Sequence, residues 1–316
     1  MEHSGDGFGT GVACADLSME GLIEVSGDDA VTFLQGQLTS DVRKVTPTAA
    51  QYSGLCTPKG RLLASFLIWR RGDRLYLQLP DSQREFVQKR LSMYVLRSKV
   101  RLTEAGGQWQ RYGIVGPDAA ACIDQALGGI PDAGMAVLQL GDVSVIRLDA
   151  QRFVVVLPAG AARPAWLDGL SSLDAAQWRL LDIRAGVPRI LPETREEFVP
   201  QMANFDLIQA VDFKKGCYTG QEIVARMQYL GKLKRRMYLV HAAGELSPGE
   251  PVFSPDMEGQ ASGMVVDAQP AHAGGWDALV VAQISSVENQ PLFAGSLQGV
   301  ALTRRDLPYV LALPDA

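Results

Sequence analysis

Two stretches of this sequence carry one pattern about a turn glycine, and a chain that repeats itself has few folds open to it. Ile114-Val115-Gly116-Pro117-Asp118-Ala119 mirrors Glu24-Val25-Ser26-Gly27-Asp28-Asp29-Ala30. From each glycine an alanine follows at +3, apolar residues at +6 and +7, and a leucine at +11. Those residues are Ala30, Phe33, Leu34 and Leu38, then Ala119, Cys122, Ile123 and Leu127. A second echo comes in the same order. Arg74-Leu75 to Leu79-Pro80 returns as Arg152-Phe153 to Leu157-Pro158, each read as leading into a helix. Amphipathic helices resemble one another, but two echoes in one order favour a duplicated α/β unit. Its halves are expected to pack into one body and to meet near residues 106–112. The same alignment puts Cys122 on an apolar helix face.

Local signals agree. Leu22-Ile23-Glu24-Val25 alternates as a strand does, and Gly27-Asp28-Asp29 turns the chain into a helix. Leu62–Trp69 and Leu75–Leu79 flank Arg70-Arg71-Gly72-Asp73 as a hairpin, with a helix through Phe86, Val87, Leu91 and Tyr94 beyond. From Met237 the texture changes. Tyr238-Leu239-Val240, Pro251-Val252-Phe253, Met264-Val265-Val266, Leu279–Ala282 and Gly299–Leu302 alternate with Gly, Pro and Asp, the mark of a small barrel or sandwich. The expected class is α+β: a frayed tail over 1–12, a duplicated α/β body of two intertwined lobes over 13–235, and a β-barrel over 236–316.

The chemistry is expected at Lys214-Lys215-Gly216-Cys217-Tyr218-Thr219-Gly220-Gln221-Glu222. Thr219 and Glu222 read as a capping box, T-x-x-E, opening a helix through Ile223, Val224, Met227 and Leu230. Cys217 then lies just before a helix start and after two lysines, and both favour thiolate over thiol. Gly216 and Gly220 allow close backbone approach or positive φ. The alternative is a small buried filler, the commonest fate of a free cysteine.

Other classes are bounded by composition. The net charge of −5 argues against general coating of nucleic acid. Charge is local instead: seven basic residues lie between Lys214 and Arg236, and Glu222 is the sole acid there. That stretch is a candidate surface for a carboxylate tail, a phosphate ester or an RNA backbone, with a solvated basic face as the plain alternative. The four cysteines, Cys14, Cys56, Cys122 and Cys217, are too far apart for a self-contained zinc or cluster site. Free thiols, an N-terminus without a secretory pattern and no apolar run of membrane length predict a cytoplasmic protein without a membrane partner.

Phe213 to Glu222 resembles the signature of the folate-binding YgfZ family, relatives of the glycine-cleavage T-protein, an aminomethyltransferase. Phe33-Leu34-Gln35-Gly36-Gln37-Leu38-Thr39-Ser40-Asp41-Val42, Pro58-Lys59-Gly60-Arg61 and Pro200-Gln201-Met202-Ala203-Asn204 resemble further blocks of the same family. The resemblance implies a duplicated folate-binding body with a C-terminal barrel. It also implies tetrahydrofolate or a derivative as cofactor. Iron–sulfur enzymes, including tRNA-modifying ones, are the implied clients, and direct tRNA contact through 214–236 stays open. Cys217 is the implied reactive residue. Trp178 would stack on the pterin, and Asp182 would meet its donor edge. Gln201 and Asn204 come from one block, and Lys214, Lys215, Gly216, Tyr218 and Gln221 from the other.

Two departures stand out. Aminomethyltransferases carry paired aspartates after a glycine-rich turn, whereas Gly60-Arg61-Leu62-Leu63-Ala64-Ser65 has no carboxylate. Relatives often place glutamate where this chain has Arg184. The first departure argues against the glycine-cleavage reaction. A folate-dependent one-carbon transferase remains the second reading, and an RNA-binding module the third.

Overall fold

The computed structural model describes residues 11–311. The expected tail over 1–12 lies outside these except for Gly11 and Val12, and Val12 packs against the core of the first unit. The chain divides into two interleaved units. One holds residues up to Phe33, Arg43–Gln51 and Leu67–Trp178, and the other Leu34–Val42, Tyr52–Phe66 and everything from Arg179 on. The junction expected near 106–112 falls inside the first unit.

The duplication is visible in strand order. The strands run β1 (Ala13–Asp16), β2 (Glu20–Ser26), β3 (Gln51–Cys56), β4 (Leu62–Arg71), β5 (Arg74–Pro80), β6 (Arg101–Glu104), β7 (Trp109–Val115), β8 (Val137–Leu140), β9 (Val143–Arg147), β10 (Arg152–Pro158) and β11 (Ser171–Leu173). One sheet reads β6-β2-β5-β4-β3 and the other β1-β7-β10-β9-β8, with β11 beyond β1. The two orders correspond strand for strand. The lobes trade one strand each: β1, from the start of the chain, pairs with β7, while β6 completes the sheet around β2.

The echoed glycines do the same work in both copies. Gly27 ends β2 at φ +108° before α1 (Ala30–Gln35), and Gly116 ends β7 at φ +141°. A Cβ would lie 2.1 Å from the Lys99 carbonyl oxygen in the first case and 2.5 Å from that of Gly11 in the second, so only glycine fits. The second echo is partial. α2 (Asp81–Ser92) follows β5 directly, but β10 leads through a loop to a 3-10 turn at Ala165–Gly169. Cys122 is half-buried on α3 (Ala119–Leu127), whose buried residues are Ala119 and Ile123; the apolar-face expectation is corrected there.

In the second unit, α4 (Ala175–Arg184) enters from the division and α5 (Gln221–Tyr229) precedes a closed barrel. Its strands are β12 (Arg235–Ala242), β13 (Pro251–Phe253), β14 (Ala261–Pro270), β15 (Trp276–Gln283), β16 (Leu292–Ala294) and β17 (Val300–Arg305), in the order β12-β15-β14-β13-β16-β17. α6 (Ile284–Asn289) joins β15 to β16. The continuous apolar runs are explained by burial on both faces. Val240, Ala278, Val280 and Ala282 belong to one cluster, while Met237, Leu239, Leu279 and Val281 pack with Ile183, Phe198, Phe205 and Val224 in another.

Candidate functional site

The blocks at 33–42, 58–61, 200–204 and 213–222 are far apart in sequence, and from Leu34 on they are tied together in the second unit, with Lys215 at the knot. Its ammonium donates to three backbone carbonyls, Gln35 (2.8 Å), Leu38 (2.6 Å) and Ser40 (2.7 Å). An ammonium has three hydrogens, so these bonds use its donor capacity. It also sits 5.0 Å from the centre of the Tyr218 ring, a cation–π contact. Lys215 is therefore a fastener and not a free cation for a ligand carboxylate, which corrects its assignment to folate. Thr39 doubles the tie: its Oγ1 donates to the Ala210 carbonyl (2.6 Å), and its backbone oxygen accepts from the Asp212 N–H (3.0 Å).

Cys217 rises from this fixed loop and is exposed. The capping box does not form. α5 starts at Gln221 with Gly220 as cap at φ +86° and no side-chain cap bond, and the Thr219 N–H instead donates to the Gly36 carbonyl (3.2 Å). Gly220 is needed because a Cβ there would lie 2.4 Å from the Thr57 oxygen. Gly216, by contrast, has no positive φ, and no protein atom lies within 4 Å of where its Cβ would stand. Within the loop, Gln221 Nε2 reaches the Lys215 carbonyl at 3.4 Å. Tyr218 is buried, which pushes its phenol pKa up.

The other thiols differ from Cys217. Burial raises the Cys14 pKa from 9.0 to about 11 and moves Cys56 and Cys122 in the same direction. Among the described residues no cluster of His, Cys, Asp and Glu could hold a metal ion. The basic stretch is smaller than its sequence suggests. Lys214, Arg226, Lys232 and Lys234 are exposed, but Lys215 is buried. Arg236 is also turned inward, forming a two-pronged pair with Asp206 (2.7 and 2.9 Å).

Gln201 and Asn204 are buried and serve the backbone. Gln201 Nε2 donates to the Val224 carbonyl (2.8 Å), holding α5, and Asn204 Nδ2 donates to that of Met237 (2.9 Å), at the start of the barrel. Asn204 itself sits at φ +56°. Asn204 Nδ2 also reaches the Tyr309 hydroxyl (3.3 Å), so both its hydrogens serve the fold, whereas Gln201 Oε1 is buried without a hydrogen-bond partner. Trp178 is buried with its ring over Gly113, where a Cβ would come within 2.6 Å of it. Asp182 is half-buried on α4, and its backbone oxygen accepts from the Val187 N–H (2.9 Å).

Arg184, flagged as a departure, finds a partner that sequence reasoning missed. Its Nε donates to Asp277 Oδ2 (2.8 Å), and His241 Nδ1 lies 2.8 Å from the other oxygen of the same carboxylate. One turn earlier on α4, Arg179 pairs with the fully buried Asp267. A register shift in β14 between Val265 and Asp267 re-aims the strand at this point. Burial raises the Asp267 pKa against the pull of Arg179 and Arg189, and its Oδ2 has no hydrogen-bond partner. Two acids on neighbouring barrel strands thus hold two arginines of one helix. Removing Asp277 takes from Arg184 and His241 the one carboxylate that both meet, so Asp277→Ala is expected to cost about 2–3 kcal/mol. Arg184→Ala added to that variant should cost less than it does alone, as urea unfolding of the four-member cycle will measure.

Comparison with known proteins decides the family. Residues 7–138 match the family described as GCVT N-terminal domain. The chain is 32% identical over 230 residues to the tRNA-modifying protein YgfZ of Colwellia psychrerythraea, covering 72% of this chain and 71% of that one. It is 31% identical over 309 residues to the YgfZ of Sodalis glossinidius, covering 92% and 90%. The chain belongs to the YgfZ family.

A solved structure, the glycine cleavage system aminomethyltransferase T of Bartonella henselae, overlays with a TM-score of 0.77 at 21% identity, covering 96% of this chain and 88% of that one. The two share the mixed α+β fold. Where the YgfZ chain lacks the expected carboxylate, Ser65 Oγ accepts from the Ile190 N–H (3.0 Å), and the neighbouring Ala64 is buried.

Proposed function

We propose that this protein is a folate-binding accessory protein of the YgfZ type. Its thiol at Cys217 serves the upkeep of iron–sulfur enzymes in the cytoplasm, tRNA-modifying enzymes among them. The observation that carries this reading is the contrast at Cys217: an exposed thiol on a loop pinned by three charged hydrogen bonds, while burial raises the pKa of the other three. A thiol so presented can ligate a client's metal or exchange with a client's disulfide.

The donor set fits a reduced pterin at one point. The pterin's amino-pyrimidine edge presents N–H donors, and the unpartnered Asp267 Oδ2 beside Arg179 is a buried acceptor of matching kind. Asp182 is a second carboxylate on the helix that carries Arg179, and Trp178 is the aromatic of that helix. Lys214, exposed, is available to the glutamate tail. Bound tetrahydrofolate supplies one-carbon and reducing chemistry; the chain's own residues orient it and present the thiol.

Calorimetry with tetrahydrofolate, run well below the melting temperature of each variant, is expected to show one-to-one binding, weakened at least about tenfold by Trp178→Phe; because Trp178 is buried, that variant is also expected to melt lower than the parent. Absence of heat with any reduced folate at millimolar concentration rejects the folate reading. With no carboxylate at 60–65, the protein is also expected not to replace the T-protein in a reconstituted glycine-cleavage assay. Turnover there would promote the transferase reading.

A further inference from the structure

The face of α5 turned to solvent is unlike the rest of the surface. Seven large hydrophobic side chains are exposed among the described residues, and three of them fall within residues 223–230: Ile223 (37% exposed), Tyr229 (66%) and Leu230 (85%). The sequence reading ran a helix through Ile223, Val224, Met227 and Leu230; of these Val224 is the buried residue, and Leu230 caps the end of α5. Ile223, Arg226 and Leu230 stand at i, i+3 and i+7, so they form one stripe. Arg226 is exposed on it, Lys232 and Lys234 are exposed just beyond the end of the helix, Lys214 lies upstream, and Glu222 is the sole acid from 214 to 236 on a chain of net charge −5.

We propose that this stripe docks an acidic segment of a partner protein that also carries apolar side chains, and delivers it to Cys217. The inference rests on the reading of Cys217 as the working thiol. Charge complementarity selects the occupant: a basic patch on an acidic molecule attracts acids and steers their approach. The apolar residues select protein over RNA. Nucleic acid is held by stacking aromatics between the cations, whereas Ile223 and Leu230 are aliphatic. Tyr229 is the one exposed aromatic of the stripe, and it already packs edge-on against Phe213 (6.4 Å, 72°). The reach also fits. A nine-residue helix is about 13 Å long, and some six extended residues of a partner span about 20 Å, enough to pass from Leu230 to the loop of Cys217.

The test uses the full chain and synthetic peptides bearing a cysteine activated as its thionitrobenzoate disulfide. The Cys217 thiolate attacks the peptide sulfur, a protein–peptide disulfide forms, and thionitrobenzoate leaves as a coloured anion, so no other oxidant is involved. Three peptides of equal length are compared: Glu/Leu, Gln/Leu and Lys/Leu. The Glu/Leu peptide is expected to react about tenfold faster than the Gln/Leu peptide, saturably, with the Lys/Leu peptide slowest. Leu230→Ser and the pair Lys232→Glu, Lys234→Glu should each erase that advantage while leaving the rate with a small neutral disulfide unchanged. Equal rates for the three peptides overturn the proposal. So does a mixed-sequence RNA oligonucleotide that binds through the same residues and abolishes the peptide advantage, since the surface then belongs to nucleic acid. If Cys217 is inert even to the small disulfide but the Glu/Leu peptide still binds by fluorescence anisotropy, docking stands and the reading of Cys217 falls.

Discussion

Lys215→Ala is expected to destabilise the protein by about 3 kcal/mol, because it strips a charged donor from three carbonyls at once. The Gln35, Leu38 and Ser40 oxygens lie at the end of α1 and just after it, and without the ammonium each loses a charged donor. Lys215→Arg is not expected to rescue. A planar guanidinium cannot direct three hydrogens at three oxygens arranged about one nitrogen, and it is larger than the buried site. Lys214→Ala, one residue away and exposed, should change stability by less than about 0.5 kcal/mol. Urea unfolding of the three variants provides the comparison, with hydrogen exchange at the Asp212 and Thr219 amides reporting on the loop. Equal stability of the Lys215 and Lys214 variants would show that the knot is not where the loop is held.

Cys217 is expected to be alkylated by iodoacetamide at neutral pH at least about a hundredfold faster than Cys14 and Cys56. The reasoning is arithmetic plus access. The Cys14 pKa rises from 9.0 to about 11, a difference of two units, so its thiolate is about a hundredfold scarcer than an ordinary cysteine's before burial restricts the reagent. Cys56 is more deeply buried still, and its pKa is raised further. Cys122, half-buried, should fall between. Mass-spectrometric rates for all four cysteines read this directly. Cys217→Ser is expected to melt like the parent and to bind folate, yet to lose function in cells, because a serine hydroxyl does not ionise to a soft nucleophile at this pH. If Cys217 is the slowest of the four and its serine variant works normally, its assignment as the working residue is wrong.

Part of the site was open to sequence reading, and particular residues show where that stopped. The block around Cys217 was found because glycines, lysines and a helix start crowd one short stretch. Its details were misread by local rules. Thr219 and Glu222 satisfy the spacing of a capping box, but the Thr219 amide has a better-placed acceptor in Gly36, 183 residues away by number. The Thr57 carbonyl then forces glycine and positive φ at the cap. Arg184 was noticed as unusual in its motif, but its answer, Asp277, stands on a barrel strand whose apolar residues mark the strand and not the arginine it meets.

The sequence by itself determined the architecture. Strand, turn glycine and helix recur because the backbone at Gly27 and Gly116 excludes a side chain in both copies, and short continuous apolar runs between turns mark the barrel strands. These are short-range constraints, settled by sterics and by which residues leave water. Tertiary structure alone decided what the motif residues do. Lys214 and Lys215 are identical and adjacent, yet one is solvated and the other is bound to carbonyls 175 to 180 residues away. Backbone acceptors are present at every position, so no composition or spacing marks the three that a given ammonium will meet; only their convergence in space does.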